Sequence, residues 1–179
     1  MAFFELRSRL RDHFAYSGKE VRDLLVVVII VGFIFSFRDW GRDAVDIAIG
    51  FRNLVLACLA AAVVFFVHTA AQRVFAIMIG FKAEFKIWYG GLFTSLIIAF
   101  VSNGVWTPIL PGGVVNSIIV RHRLGEFRYG MNYWDNGIVT LCGAFATLGV
   151  AFAAKIGLLV FPESWMLHKL LIMGIVLSI

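Results

Sequence analysis

Charge is what this chain has least of. Only 15% of its 179 residues are Asp, Glu, Lys or Arg, against roughly 25% in ordinary soluble domains. A 20 kDa globule needs a charged shell around its core, and this chain cannot supply one, which argues against a soluble enzyme. The 61% hydrophobic share argues against intrinsic disorder. With a mean hydropathy of +0.91, the class that remains is a polytopic membrane protein in the lipid bilayer. Cysteine is also scarce. Cys58 and Cys142 both sit in apolar stretches and no Cys-x-x-Cys occurs, so no disulfide framework is expected. There is no low-complexity segment and no internal repeat. Met1 to Asp23 is too charged for a signal peptide. The net charge of +5 reads as cytoplasmic loops rich in Lys and Arg. The cluster Arg121-His122-Arg123 suits anionic headgroups; with no Gly-rich or stacking motif beside it, no nucleic-acid partner is expected.

The gaps between charges draw the map. Residues 1–23 alternate charge with Phe3, Phe4, Leu6, Leu10 and Phe14, the pattern of an amphipathic helix on the membrane surface. Leu24 to Phe37 is a short uncharged run, and Asn53 to Gln72 is an uncharged run of 20 residues, enough to span; it continues to about Ile79. From Ile87 to Val120 there is no charge in 34 residues, yet Gly90-Gly91, Ser102-Asn103-Gly104, Pro108 and Pro111-Gly112-Gly113 cut the stretch into short pieces. Irregular backbone at membrane depth survives only where protein covers it, so a re-entrant element over about 84–120 is expected, with extended strands and a short helix. Gly137 to Val160 and Met166 to Ile179 complete about four transmembrane helices. Asp135 reads as the N-cap of the 137–160 span. The expected fold is thus an all-α polytopic membrane protein with an N-terminal amphipathic helix, residues 1–23, and one transmembrane domain, residues 24–179, holding a membrane-embedded β-like hairpin. Segments 1–23, 73–86 and 121–135 carry 5, 3 and 3 of the 16 basic residues, which places them and the N-terminus in the cytoplasm, in a multi-pass cell-membrane protein.

The most informative residues are His68-Thr69-Ala70-Ala71-Gln72, late in the second run. An ionisable residue inside a span is a functional-site hypothesis by default, and His68 and Gln72, four apart, share one helix face. Zinc metalloproteases use His-Glu-x-x-His at this spacing, two imidazoles gripping one metal while the Glu handles the proton. Further along come Gly80-Phe81-Lys82-Ala83-Glu84-Phe85, then Leu110-Pro111-Gly112-Gly113, then Gly137-Ile138-Val139-Thr140-Leu141-Cys142-Gly143-Ala144-Phe145-Ala146-Thr147. In order and spacing these resemble the "GxxAEF" strand, the "APGA" turn and the "G-x-I-x-x-A-G-P-x-x-N" span of the site-2 protease family of intramembrane zinc metalloproteases, in particular its short archaeal-type members. The resemblance covers roughly residues 55–179.

What the resemblance implies is a catalytically degenerate member. Thr69 stands where the family has its general-base Glu, Gln72 where it has the second His, and Ala144 and Thr147 where it has Pro and Asn. The family's third zinc ligand is an Asp in a later span, and the chain ends at Ile179 before such a segment. His68 is the one expected ligand left, and catalytic zinc takes three protein ligands plus water. A Thr hydroxyl is no general base near neutral pH, and losing the base alone costs ~10²–10⁴ in rate. The expectation is a pseudoprotease with no catalytic residue, no metal and no cofactor, acting as scaffold or subunit among other membrane-protein subunits. The alternatives are an active intramembrane zinc metalloprotease with a rearranged site and a small transporter or channel subunit.

Three further sets follow. His68 and Gln72 also read as bundle-facing polar residues bonded to a neighbouring helix. Lys82, Glu84, Phe85 and Lys86 read as a strand whose edge takes an extended partner segment, such as that of a single-span client helix. Gly143, Thr147, Gly149 and Ala153 give small-xxx-small spacing for close helix packing.

Overall fold

The computed structural model describes residues 8, 10–40, 46–118 and 133–178. Five long helices and two strands account for most of them: α1 (Gly18–Ser36), α2 (Ile47–Ile79), β1 (Phe81–Ile87), α3 (Tyr89–Val101), β2 (Gly112–Ile118), α4 (Tyr133–Val160) and α5 (Trp165–Ser178). Of the expected surface helix over 1–23, residues 1–7 and 9 lie outside the description, as does Arg121-His122-Arg123.

Local chemistry sets the helix ends, and it moves several expected boundaries. Ser17 and Glu20 form a capping box, Ser17 Oγ accepting from the Glu20 N–H and Glu20 from the Ser17 N–H. The first long helix therefore starts at Gly18, and the boundary expected at Asp23 falls in its second turn. Asp46 caps α2 by accepting from the Ala48 and Ile49 N–H groups. That extends the helix back over Arg52, ahead of the uncharged run that starts at Asn53. Gly80, at φ 94°, ends it in the left-handed conformation. Gly90-Gly91, expected as a turn, lies in the first turn of α3, where Ser95 Oγ donates back to the Gly91 carbonyl. Asp135 does not cap α4; the helix begins at Tyr133, and Asp135 supplies a first-turn acid at the positive dipole end.

The packed pairs α1–α2, α2–α4 and α4–α5 each run antiparallel. Glu20 meets Arg73 at one end of the α1–α2 pair and Gly32 meets Cys58 further along. Gly143 of α4 lies against Gln72 and His68, and Val139 clusters with Ala76, so α4 runs antiparallel to α2. Gly174 of α5 lies against Thr147 and Ala151. The core combines Val27, Val31 and Ile34 of α1, Ala57, Ala60, Ala61 and Val64 of α2, Leu92 and Ala99 of α3, and Met173 of α5.

Two helices are long and apolar enough to cross a membrane, Ile47–Ile79 and Trp134–Val160. Protein buries only 33% and 28% of their most apolar windows. A soluble core helix would be mostly covered, so these faces suggest a membrane protein. Helix α1 carries Lys19, Glu20, Arg22 and Asp23 in its first two turns, and α3 and α5 are shorter apolar helices.

Of the expected hairpin, two strands are present as a small antiparallel sheet. Strands β1 and β2 pair antiparallel from Phe81 with Ile118 to Ile87 with Gly112. Between them α3 travels the length of α1: Phe85 sits at Glu20, whereas the Phe100 ring lies 5.0 Å from that of Phe37. The return closes where the Trp88 N–H donates to the Pro111 carbonyl at 3.0 Å. Gly112, at φ 132°, then passes so near the Lys86 carbonyl that no side chain fits.

The small-residue stripe of α4 is shifted from the expected set. Gly143, Thr147, Ala151 and Ala154 are buried, while Gly149 and Ala153 face outward. The inward face is set by contact with both α2 and α5, which spacing on α4 alone does not reveal. At Gly32 an added Cβ would overlap Cys58 Sγ and meet Cys58 backbone at 3.0 Å, whereas at Gly149 it would meet nothing. Gly32→Ala is therefore expected to lower stability by about 1–3 kcal/mol and Gly149→Ala to leave it within about 0.5 kcal/mol, compared by thermal unfolding in one detergent.

Candidate functional site

Helix α2 presents the motif residues on two faces. His68 and Gln72 point at α4: a Cβ built on Gly143 would lie 2.7 Å from Gln72 Cγ and Nε2 and 2.8 Å from His68 Cε1. Glycine there lets the α4 backbone lie directly on the two side chains. Gln72 is buried and His68 half-buried. The His68 ring hydrogen-bonds the Gly143 backbone of α4, as expected of a bundle-facing histidine, while Gln72 Oε1 and His68 Nδ1 have no hydrogen-bond partner among the described residues. Thr147, buried on the same seam, turns its hydroxyl back to the Ala144 and Gly143 carbonyls at 2.8 and 3.3 Å.

Thr69 faces the other way. Its hydroxyl donates to the Phe65 carbonyl at 2.8 Å and lies 3.2 Å from the Tyr16 hydroxyl. The three motif positions thus do not converge on one point: two meet α4, and the third is held by residues before α1.

Next to Thr69 on that second face is Arg73, only 2% exposed. Its guanidinium pairs with the Glu20 carboxylate, donates to the Phe14 and Ala15 carbonyls at 3.0 Å each, and lies 3.9 Å from the centre of the Tyr16 ring. Glu20 accepts in addition from the Phe85 N–H of β1 at 3.1 Å. Sequence reasoning missed this cluster, although Ser17-Gly18-Lys19-Glu20 has capping-box spacing and Arg73 interrupts an apolar helix.

The residues of β1 alternate in burial. Ala83 and Phe85 are buried. Lys82 and Glu84 pair at 2.7 Å on the outer face, and Lys86 is exposed. The hydrogen bond and charge of Lys82 hold the Glu84 carboxyl below its ordinary value. Because Phe85 directs its N–H at Glu20, the outward edge of β1 is engaged within the chain at that residue. On β2, buried Asn116 donates to Asn136 Oδ1 at 2.7 Å. His168 is exposed, with Nδ1 2.9 Å from the Ser164 carbonyl, and stands apart from the motif.

The donor set does not fit a catalytic zinc. On the α4-facing side the motif offers one imidazole and one amide, and among the described residues no three His, Cys, Asp or Glu side chains come together to hold a metal.

Fold and constellation together define a mostly helical bundle with membrane-type surfaces, built around a metalloprotease-like motif helix and a strand hairpin. The chain is 25% identical over 161 residues to "Putative zinc metalloprotease MJ0611" of Methanocaldococcus jannaschii, a match covering 90% of this chain and 73% of that protein. The match agrees with the site-2-protease-like family to which the four motifs point. No protein-family model matches the chain, and no solved structure does.

Removing Arg73 leaves a buried carboxylate unpaired, which typically costs about 3–5 kcal/mol. Arg73→Met is expected to destabilise by that order in denaturant titration, and adding Glu20→Gln is expected to recover part of the loss. A mild effect of Arg73→Met alone would contradict the buried pairing.

Proposed function

We propose that this chain is a catalytically inactive, site-2-protease-like membrane protein that binds other membrane proteins as a scaffold or subunit. One observation carries the reading: the face that His68 and Gln72 turn to α4 offers one imidazole and one amide, and position 69 carries a hydroxyl bonded to the Phe65 carbonyl and beside Tyr16 in place of a carboxylate base. Metal-assisted hydrolysis needs the activated water and the base side by side. The scaffold reading adds the expected four-span topology with a cytoplasmic N-terminus. It also assigns the β1–β2 sheet, with Lys82, Glu84, Phe85 and Lys86 along β1, as the surface that holds an extended segment of a single-span client.

The rival with support is an active zinc protease, favoured by the name of the Methanocaldococcus jannaschii relative. Zinc content and cleavage assays on purified protein decide between them. The pseudoprotease reading expects zinc far below one per chain and no chelator-sensitive cleavage of a membrane substrate. Stoichiometric zinc with such cleavage would overturn it. Introducing Thr69→Glu and Gln72→His together is expected to raise the zinc content per chain above the parent level.

A further inference from the structure

In an antiparallel ladder, alternate residues of a strand point their N–H and C=O groups toward the partner strand or away from it. Phe85, opposite Val114, points its N–H away from β2 and gives it to Glu20 Oε1 at 3.1 Å. This is a donor that an incoming strand would need. A carboxylate of the same chain occupies it. Glu20 stands 5% exposed and also accepts from Ser17 N and pairs with Arg73. Arg73 in turn holds the two residues before Tyr16 by their carbonyls and lies beneath the Tyr16 ring. Residues 14–17 therefore form a strap. It meets α2 at Thr69 and ends at Ser17, whose N–H bonds to Glu20, the residue that occupies the strand edge.

We propose that the 14–17 strap and Glu20 form a latch, fastened on Arg73, which closes the outer edge of β1 and has to be displaced before that edge accepts an extended segment. The proposal rests on the reading that this sheet holds such a segment, and it adds a regulator to it. The latch and the incoming segment compete for one donor, the Phe85 N–H. The segment's backbone carbonyl takes it when Glu20 withdraws. A charge-assisted bond from a backbone N–H to a buried carboxylate is stronger than a neutral one, so the closed form is the resting state. Opening is local: it unfastens four residues and one carboxylate while the α2–α4 seam at Gly143 stays packed. The Tyr16 ring also lines one end of an apolar groove of about 490 Å³ between α1 and α2, walled by Val21, Leu25, Val63 and Phe66. A released strap therefore uncovers one end of that groove.

The test uses full-length chain in native membranes, with Cys58 and Cys142 replaced by Ser and Thr69→Cys as reporter, read by a water-soluble maleimide. A photo-crosslinking residue at position 82 reports any bound segment. Tyr16→Ala loosens the strap while leaving Glu20 and Arg73 paired, and Glu20→Gln weakens the fastening from the other side. Each is expected to raise labelling at position 69 about tenfold, the scale of one lost cation–π or buried hydrogen bond, and to raise the crosslinked yield with it. Unchanged labelling in both variants overturns the latch. Labelling that rises while crosslinks stay at the parent level also overturns it, placing the segment on the β2 edge and leaving the client-holding reading intact. No crosslink in any background, strap released or not, overturns the client-holding reading and the latch with it.

Discussion

The Glu20–Arg73 ion pair is the joint on which the rest of this structure hangs. Burying two charges costs several kcal/mol each unless every polar atom around them is satisfied. Here the neighbours supply that satisfaction. Two carbonyls of residues 14 and 15 and the Tyr16 ring face the guanidinium, and the N–H groups of Ser17 and Phe85 face the carboxylate. These partners come from two places in the chain, the consecutive residues 14–17 and Phe85 of β1. Satisfying one pair therefore fixes the segment before α1, the start of α1, the end of α2 and the middle of β1 relative to one another.

At the far end of α1 a second charged joint does related work with less burial. Lys169 of α5 donates to the Phe35 carbonyl at 2.7 Å, pairs with Asp39 at 2.6 Å, and faces the Trp165 ring at 5.1 Å. A cation on the last carbonyls of a helix is placed well for the helix dipole. Asn53 of α2 takes the Asp39 carbonyl at 2.8 Å. Between these joints α1, α2 and α5 pack with Val, Ile and Ala, and the glycines at positions 32, 143 and 174 let the helix backbones approach. The polar joints set register and the apolar seam between them sets distance.

The same geometry sets which way the residues of the metalloprotease-like motif face. On an α-helix, positions 68 and 72 share a face, while 69 and 73 share the neighbouring one. With Arg73 drawn to Glu20, that neighbouring face is committed to the strap. The strap brings the Tyr16 hydroxyl to Thr69. The face of His68 and Gln72 is committed instead to the α4 backbone at Gly143.

Much of this was legible along the chain. The 20 uncharged residues from Asn53 to Gln72 determined a spanning-length helix, because backbone groups in apolar surroundings must bond within their own segment. The glycines and prolines between Ile87 and Val120 determined that the uncharged stretch folds back, and the motif order pointed to the metalloprotease-like class. Helix ends were less legible, since Asp46 and Ser17 act as caps through hydrogen bonds that charge gaps do not encode. Which small residues of α4 face inward was decided by two neighbouring helices at once, so Gly149 and Ala153 fell outside and Ala151 and Ala154 inside. The partnership of Glu20 with Arg73 and Phe85 was decided by tertiary structure alone. Those residues are 53 and 65 positions apart from Glu20, and a sequence read locally carries periodicity and composition but not which distant charge will be brought to share a dry site.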